Sequence, residues 1–182
     1  MSAPMPEQAT HELARRNAAF LRQGAALIRG LRDEDYCGRT PHTPRGGVGV
    51  HFRHVLDHYE CFASGLASGR VDYDRRERDE ALENSRLRAT SKIEAVLGLL
   101  ESIDRESARQ ALVVVADCGE TGERVATDSN VARELQFLVS HTVHHFAVIA
   151  LILRERGIEP GADFGVAPST LKFEQGRSVC AR

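Results

Sequence analysis

Six of the chain's eight histidines fall into two short segments, His51, His54 and His58 in one and His141, His144 and His145 in the other. Both segments have the apolar spacing of an amphipathic helix, so their imidazoles stand on or beside a face that is to be buried. A buried polar group without a partner costs about 1–3 kcal/mol. A fold that accepts this sequence must bring the histidines to hydrogen-bonding partners, to water or to a shared ion.

Four stretches carry helical periodicity. The first runs from Glu12 to Leu31 through Leu13, Phe20, Leu27 and Ile28. Asp33 to Gly47 contains Pro41, Pro44, Gly38 and Gly46, has no apolar period, and reads as a loop. Val48 to Leu66 is again helical, with a stripe of Phe52, Val55, Tyr59, Phe62 and Leu66, weakened at its end by Gly65 and Gly69. A charged segment, Asp72 to Asn84, leads to a third helix carrying Leu87, Ile93, Val96, Leu97, Leu100 and Ile103. Leu112 to Ala116 is β-branched and is followed by Gly119-Glu120-Thr121-Gly122 and Val125, which suggests a small hairpin. Ser129 or Asn130 is placed to cap a fourth helix reaching about Arg156, where Gly157 and Pro160 end it. Gly161 to Arg182 shows no strong period. The expected fold is all-α, a four-helix bundle with a small β-hairpin before the last helix.

On a helix, positions 51, 54 and 58 lie within about 60° of one another. His141 and His145 stand four residues apart on the face of Leu138 and Ile149. That spacing lets two imidazoles converge on one ion, and a third from the neighbouring helix completes a site with open positions, the mark of a reactive rather than a structural centre. Periodicity puts His51 and His58 slightly nearer the stripe's centre than His54. Thr142 stands where an HExxH protease has its glutamate, so that class is disfavoured. Ligand imidazoles must be neutral, and an unperturbed histidine titrates near about 6.5, so metal affinity is expected to fall steeply below about pH 6.

Composition removes several alternatives. A net charge of −2 with no clustered basic stripe argues against a nucleic-acid partner. The longest apolar run, Phe146 to Leu153, is far short of the roughly 20 residues of a membrane helix, and Met1 to Thr10 has no secretory pattern. Cys37, Cys61, Cys118 and Cys180 form no CxxC pair, so a reduced, cytoplasmic protein is expected.

His54-Val-Leu-Asp-His58-Tyr-Glu60 resembles the second-helix motif of DinB-like (YfiT-like) four-helix-bundle proteins. In that family a ligand histidine is followed by an acidic residue near the next turn, or by glutamate six positions on. His141-Thr-Val-His144-His145 resembles the family's HxxHH, whose first and last histidines are ligands. The likeness spans nearly the whole chain in helix order. It implies a single domain over 1–182, the tail from 161 packed on it or partly irregular, and one divalent metal held by His54, His141 and His145. His51 and His58 remain as replacements or additions. Phe146 follows the motif where many members have arginine, and no tryptophan is present.

Imidazole ligands suit zinc, nickel or iron alike. An ion held by neutral imidazoles keeps its charge and lowers the pKa of a bound water or thiol. Some relatives in this superfamily are S-transferases using low-molecular-weight thiols. The implied function is thus a metal-dependent transferase of that type, or a hydrolase, acting on a small molecule. The alternative is a non-catalytic metal- or small-ligand-binding stress protein, or a homodimer whose metal stabilises the bundle. Asp57 and Glu60 are candidates to orient imidazoles, Arg75 or Arg78 to hold an anionic group, Cys61 to be a soft ligand, and 164–170 to fold back over the bundle.

Overall fold

The computed structural model describes residues 6–39, 46–104, 107, 110–118 and 122–180. In chain order its elements are α1 (Pro6–Gly30), α2 (Asp33–Cys37), α3 (Val48–Ser68), β1 (Arg70–Asp72), a 3₁₀ turn (Tyr73–Arg75), α4 (Glu80–Glu83), α5 (Arg86–Ser102), β2 (Ala111–Asp117), β3 (Arg124–Asn130), α6 (Val131–Glu155) and α7 (Pro168–Cys180). The four periodic stretches are the long helices α1, α3, α5 and α6. Helix α1 packs on α5 and α6, and α3 packs on the same two. Their apolar stripes form one core, in which Ile28, Val55, Leu56, Phe62, Ile93, Leu135, Leu138, Phe146, Ile149 and Leu153 have no exposed surface.

The all-α expectation needs correction. The chain is mostly helical, and the hairpin forms as antiparallel β2–β3, from Ala111↔Asn130 to Asp117↔Arg124. A third strand, β1, pairs parallel with β2 through Arg70↔Val113 and Asp72↔Val115, so the sheet is mixed. Residues 119–121 of the hairpin turn lie outside the described residues. Glycine makes the join between α3 and β1. Gly69 caps α3 in the left-handed region at φ 73, its N–H bonded to Gly65 O. A Cβ at Gly65 would stand 2.3 Å from Val71 Cγ2, so only glycine lets β1 lie against the helix end.

Asn130 rather than Ser129 caps α6, accepting from Arg133 N at 3.0 Å. Three helices fall where none is expected, the short α4 of the charged segment 72–84 among them. In the former loop, α2 starts with Asp33, Glu34 and Asp35 in its first turn, the charge its N-terminus favours. The tail forms α7, whose Leu171 is half-buried and Phe173 exposed, so it lacks the apolar stripe that announces a core helix. Before it, Phe164 stacks on Phe146 at 4.7 Å, and Gly165 sits against the α6 backbone. Segment 164–170 begins as core packing on α6. Helix α6 is the one described helix long and apolar enough to cross a membrane. Leu135, Leu138, Phe146, Ile149 and Leu153 on it are fully buried in the core.

A polar network runs through this core. Asn17, with no exposed surface, donates to Leu13 O at 2.8 Å and to Leu135 O at 3.0 Å. Its Oδ1 accepts from Tyr59 Oη at 2.6 Å. Tyr59 has one proton, so the 3.1 Å contact with Thr142 Oγ1 is a bond donated by threonine. Helices α1, α3 and α6 are joined at one point. Asn17→Ala leaves Leu135 O and Tyr59 Oη without that partner, and is expected to cost about 2–3 kcal/mol. Tyr59→Phe should cost about 1–2 kcal/mol. Urea denaturation checks both values, and wild-type stability in Asn17→Ala would refute the network's role.

Candidate metal centre

Tyr59 and Thr142 each follow a histidine by one residue, so the bond between them sets His58 of α3 against His141 of α6. Their ring centroids are 3.9 Å apart, and His54, one turn earlier on α3, lies 4.6 Å from His58 and 5.0 Å from His141. One ring nitrogen from each of His54, His58 and His141 falls within 4.8 Å of the other two, a spacing that can hold a metal ion. His145 borders this group, 4.5 Å from both His54 and His141 by ring centroid. Its Nδ1 is 3.0 Å from His51 Nδ1. His144 faces solvent. The two clusters therefore meet, with His58 in the tightest trio and His145 beside it.

Protonation follows from the partners. His58 Nδ1–H donates to His54 O at 2.8 Å, which leaves the Nε2 lone pair to ligate. In the His51–His145 pair one Nδ1 donates and the other accepts. If His145 donates, its own Nε2 lone pair is free and His51 is its orienting acceptor. His141 Nδ1 is enclosed and has no hydrogen-bond partner among the described residues. Three neutral imidazoles, one with its tautomer fixed and one with an orphaned nitrogen, fit a divalent transition metal in donor chemistry. Tyr73 stacks on His58 at 5.3 Å and 20°, and Phe137 closes the side against His141 at 5.6 Å. Tyr73 is held by its hydroxyl, which donates to the buried Glu134 at 2.7 Å.

Other candidates are placed elsewhere. Asp57 is buried but bonds Arg53 Nη1 at 3.1 Å, and Arg53 Nε bonds Glu83 at 2.9 Å. Glu60 pairs with Lys92. Neither carboxylate orients an imidazole; for His58 that acceptor is the carbonyl of His54. Cys61 stands outside the trio, and burial pushes its thiol up to about 11. Arg75 and Arg78 are exposed, Arg75 reaching Asp72 at 3.7 Å. From the same charged run Arg76 lowers both His54 and His58, and Asp74 raises His58. Sequence reading missed Tyr73, Phe137 and Arg76, and the only signal for them was closeness in sequence to a charged run or to His141.

Burial dominates the titration of the centre. Desolvation first, then neighbouring imidazoles, lower His54 to about 3 and His141 to about 2. Desolvation lowers His58 and His145 to about 4, against a bond to His54 O that raises His58. Folded-state values lie below the unfolded value of about 6.5, so between them the unfolded chain binds more protons and stability rises with pH. The metal-free protein should lose at least about 1.4 kcal/mol per pH unit as pH falls from about 6 to 4. Urea midpoints across that range check it. Competition between proton and metal also moves, from the expected pH of about 6 down to about 4. Zinc affinity should change less than about tenfold between pH 7.5 and 5.5, where three unperturbed histidines would lose a factor on the order of 1000. Calorimetric titration at both values decides between them.

The chain is 32% identical over 103 residues to a Rhizopus delemar protein named FK506-binding protein 5. That stretch is 56% of this chain and 27% of the relative, so the chain spans about a quarter of that relative's length. No family model matches the chain, and no solved structure matches it.

Proposed function

We propose that this chain is a DinB-like four-helix-bundle protein whose histidine centre holds one divalent transition metal and serves a thiol S-transferase-type reaction on a small molecule. What carries this is the convergence of His54, His58 and His141, with ligand nitrogens within 4.8 Å of one another. Long helices α1, α3, α5 and α6, each touching two of the others, support the bundle. When bound, a divalent cation there supplies charge that lowers the pKa of a thiol brought to it.

Transfer is favoured over hydrolysis by what surrounds the imidazoles. Of the nearby carboxylates, Asp57 is committed to Arg53, and Glu134 to Tyr73, Ser129 and Arg133. Activating water calls for a base more than activating a thiol does, since a thiol titrates near about 8.5 and water far higher. Tyr73 and Phe137 cover one side of the imidazoles and keep water from it, and the exposed His144, against His145, is where a small molecule would approach.

Elemental analysis of protein purified without a histidine tag should find one divalent metal per chain. His54→Ala, His58→Ala and His141→Ala should each lower zinc affinity at least about 100-fold, and His145→Ala or His51→Ala about tenfold. Wild-type occupancy in His54→Ala or His141→Ala refutes the centre. A reversed order for His58 and His145 moves the third ligand to His145. Thiol consumption with a panel of small electrophiles then tests turnover: none with metal-replete protein favours the non-catalytic binder.

A further inference from the structure

The strand β3 leaves one whole edge of the sheet open. The strand order is β1–β2–β3, so β3 has a neighbour on one side only. Its ladder with β2 runs without a bulge from Asp117↔Arg124 to Ala111↔Asn130. At one end Cys118 N–H donates to Glu123 O at 3.4 Å, and at the other Val131 N–H donates to Gln110 O at 3.2 Å. Hydrogen-bonded pairs alternate along an antiparallel ladder. Val125, Thr127 and Ser129 therefore turn their main-chain groups to β2, while Arg124, Ala126 and Asp128 turn theirs outward. No main-chain bond to those outward groups is found among the described residues. Every residue from 124 to 128 is exposed.

An open edge is a template for another strand, and proteins usually blunt it with brevity, bulges, lysine or proline. The opposite edge, β1, is three residues long and lies against α3. Strand β3 has seven residues and none of those devices. Its two charges, Arg124 and Asp128, are of opposite sign and share one face, since side chains alternate along a strand. Two copies of β3 running antiparallel about a two-fold axis must set outward-turned residues opposite one another. An axis through Arg124 or Asp128 opposes like charges, which destabilises pairing. An axis through Val125 or Thr127 sets a charge against Ala126. With Ala126 on the axis, Arg124 of each copy faces Asp128 of the other. That register also lays Val125, 42% exposed, beside Thr127 of the other copy in a close, non-hydrogen-bonded pair. Arg124 bonds Asp72 across β2. When Arg124 turns to the edge, Asp72 keeps the N–H groups of Asp74 and Arg75 and the Arg75 side chain.

We propose that β3 is a self-association edge: two copies of the chain join through it, with Ala126 on the two-fold axis, into one six-stranded sheet. The interface is isologous, so each Arg124–Asp128 pair occurs twice. Main-chain bonds from Arg124, Ala126 and Asp128 supply the affinity, and the charge pairs fix the register. One strand a side is small for a specific interface, so the dimer is a weak one, with a midpoint of about 100 µM. It stands apart from the histidine centre and needs no metal.

Sedimentation of the full chain under reducing conditions, from about 1 to about 500 µM, should show monomer passing to dimer. Ala126→Pro removes one outward N–H and no bond to β2, a place where an edge strand accepts proline. That variant should stay monomeric throughout and keep its helical circular dichroism. Asp128→Arg and Arg124→Glu each set like charges opposite one another, and each should weaken self-association by about tenfold. An equimolar mixture of the two should recover the dimer, because the mixed pair again opposes unlike charges. Amide hydrogen exchange reads the same contact in the wild-type chain. The Thr127 N–H should be protected at every concentration, and the Ala126 N–H only where the dimer forms. If Ala126→Pro fails to fold, the charge variants and the exchange rates still decide. A chain that stays monomeric at the highest concentration overturns the proposal. So does a dimer that leaves the Ala126 N–H unprotected, or one that both charge variants retain at wild-type strength.

Discussion

One hydrogen-bonded junction holds the three helices that matter to the histidines. Asn17, Tyr59 and Thr142 lie on α1, α3 and α6 and spend nearly all their polar capacity on one another and on the carbonyls of Leu13 and Leu135. Apolar stripes hold helices together but tolerate sliding, because any apolar surface will cover another. A buried amide, phenol and hydroxyl tolerate none, since a shift of one residue leaves each with an unmet bond. Thr142, at the position where a metalloprotease glutamate would stand, is thus a register pin. His58 and His141, one residue before the pinned pair, are carried into contact as a consequence.

That placement explains the chemistry of the imidazoles better than any property of histidine itself. Enclosed beside Tyr73, Phe137 and each other, they cannot hold a proton cheaply, and desolvation is the first cause of every lowered pKa among them. Their lone pairs stay available through the physiological range and well below it. The fold accepts a cost in stability at low pH as the other side of the same effect. Nothing in the packing of the core calls for five imidazoles in one place, and an apolar side chain at His58 or His141 would fill the space without orphaning a nitrogen.

The legible part of this protein is the part written as repetition. Leu13 to Leu31, Phe52 to Leu66, Leu87 to Ile103 and Val131 to Leu153 repeat at helical spacing, and each is a long helix. Periodicity puts both His51 and His58 nearer the stripe's centre than His54; His58 is only 5% exposed, whereas His51 and His54 are both half-buried. The strand β1 was hidden because three residues are too few to alternate, and α7 because a helix lying on the surface needs no stripe. Spacing says which residues share a face, but His58 enters the trio and His145 turns to His51 through particular bonds to a carbonyl and a ring nitrogen. Asp57 shows the same limit: its place one residue before His58 suggested an imidazole partner, whereas Arg53, four residues earlier on the helix, reaches it.

The distribution of charge around the centre gives the last step. Acidic residues are plentiful in the segment that follows β1, yet those nearest the imidazoles end in ion pairs or caps: Asp57 on Arg53, Glu60 on Lys92, Asp72 on Arg124, Asp79 on Ala81 N. The imidazoles themselves are neutral, and of the charges that follow β1 Arg76 lowers His58 while Asp74 raises it. A purely structural metal would be served by a fourth protein donor and closed walls. Here the exposed His144 stands against His145, at the edge of the trio.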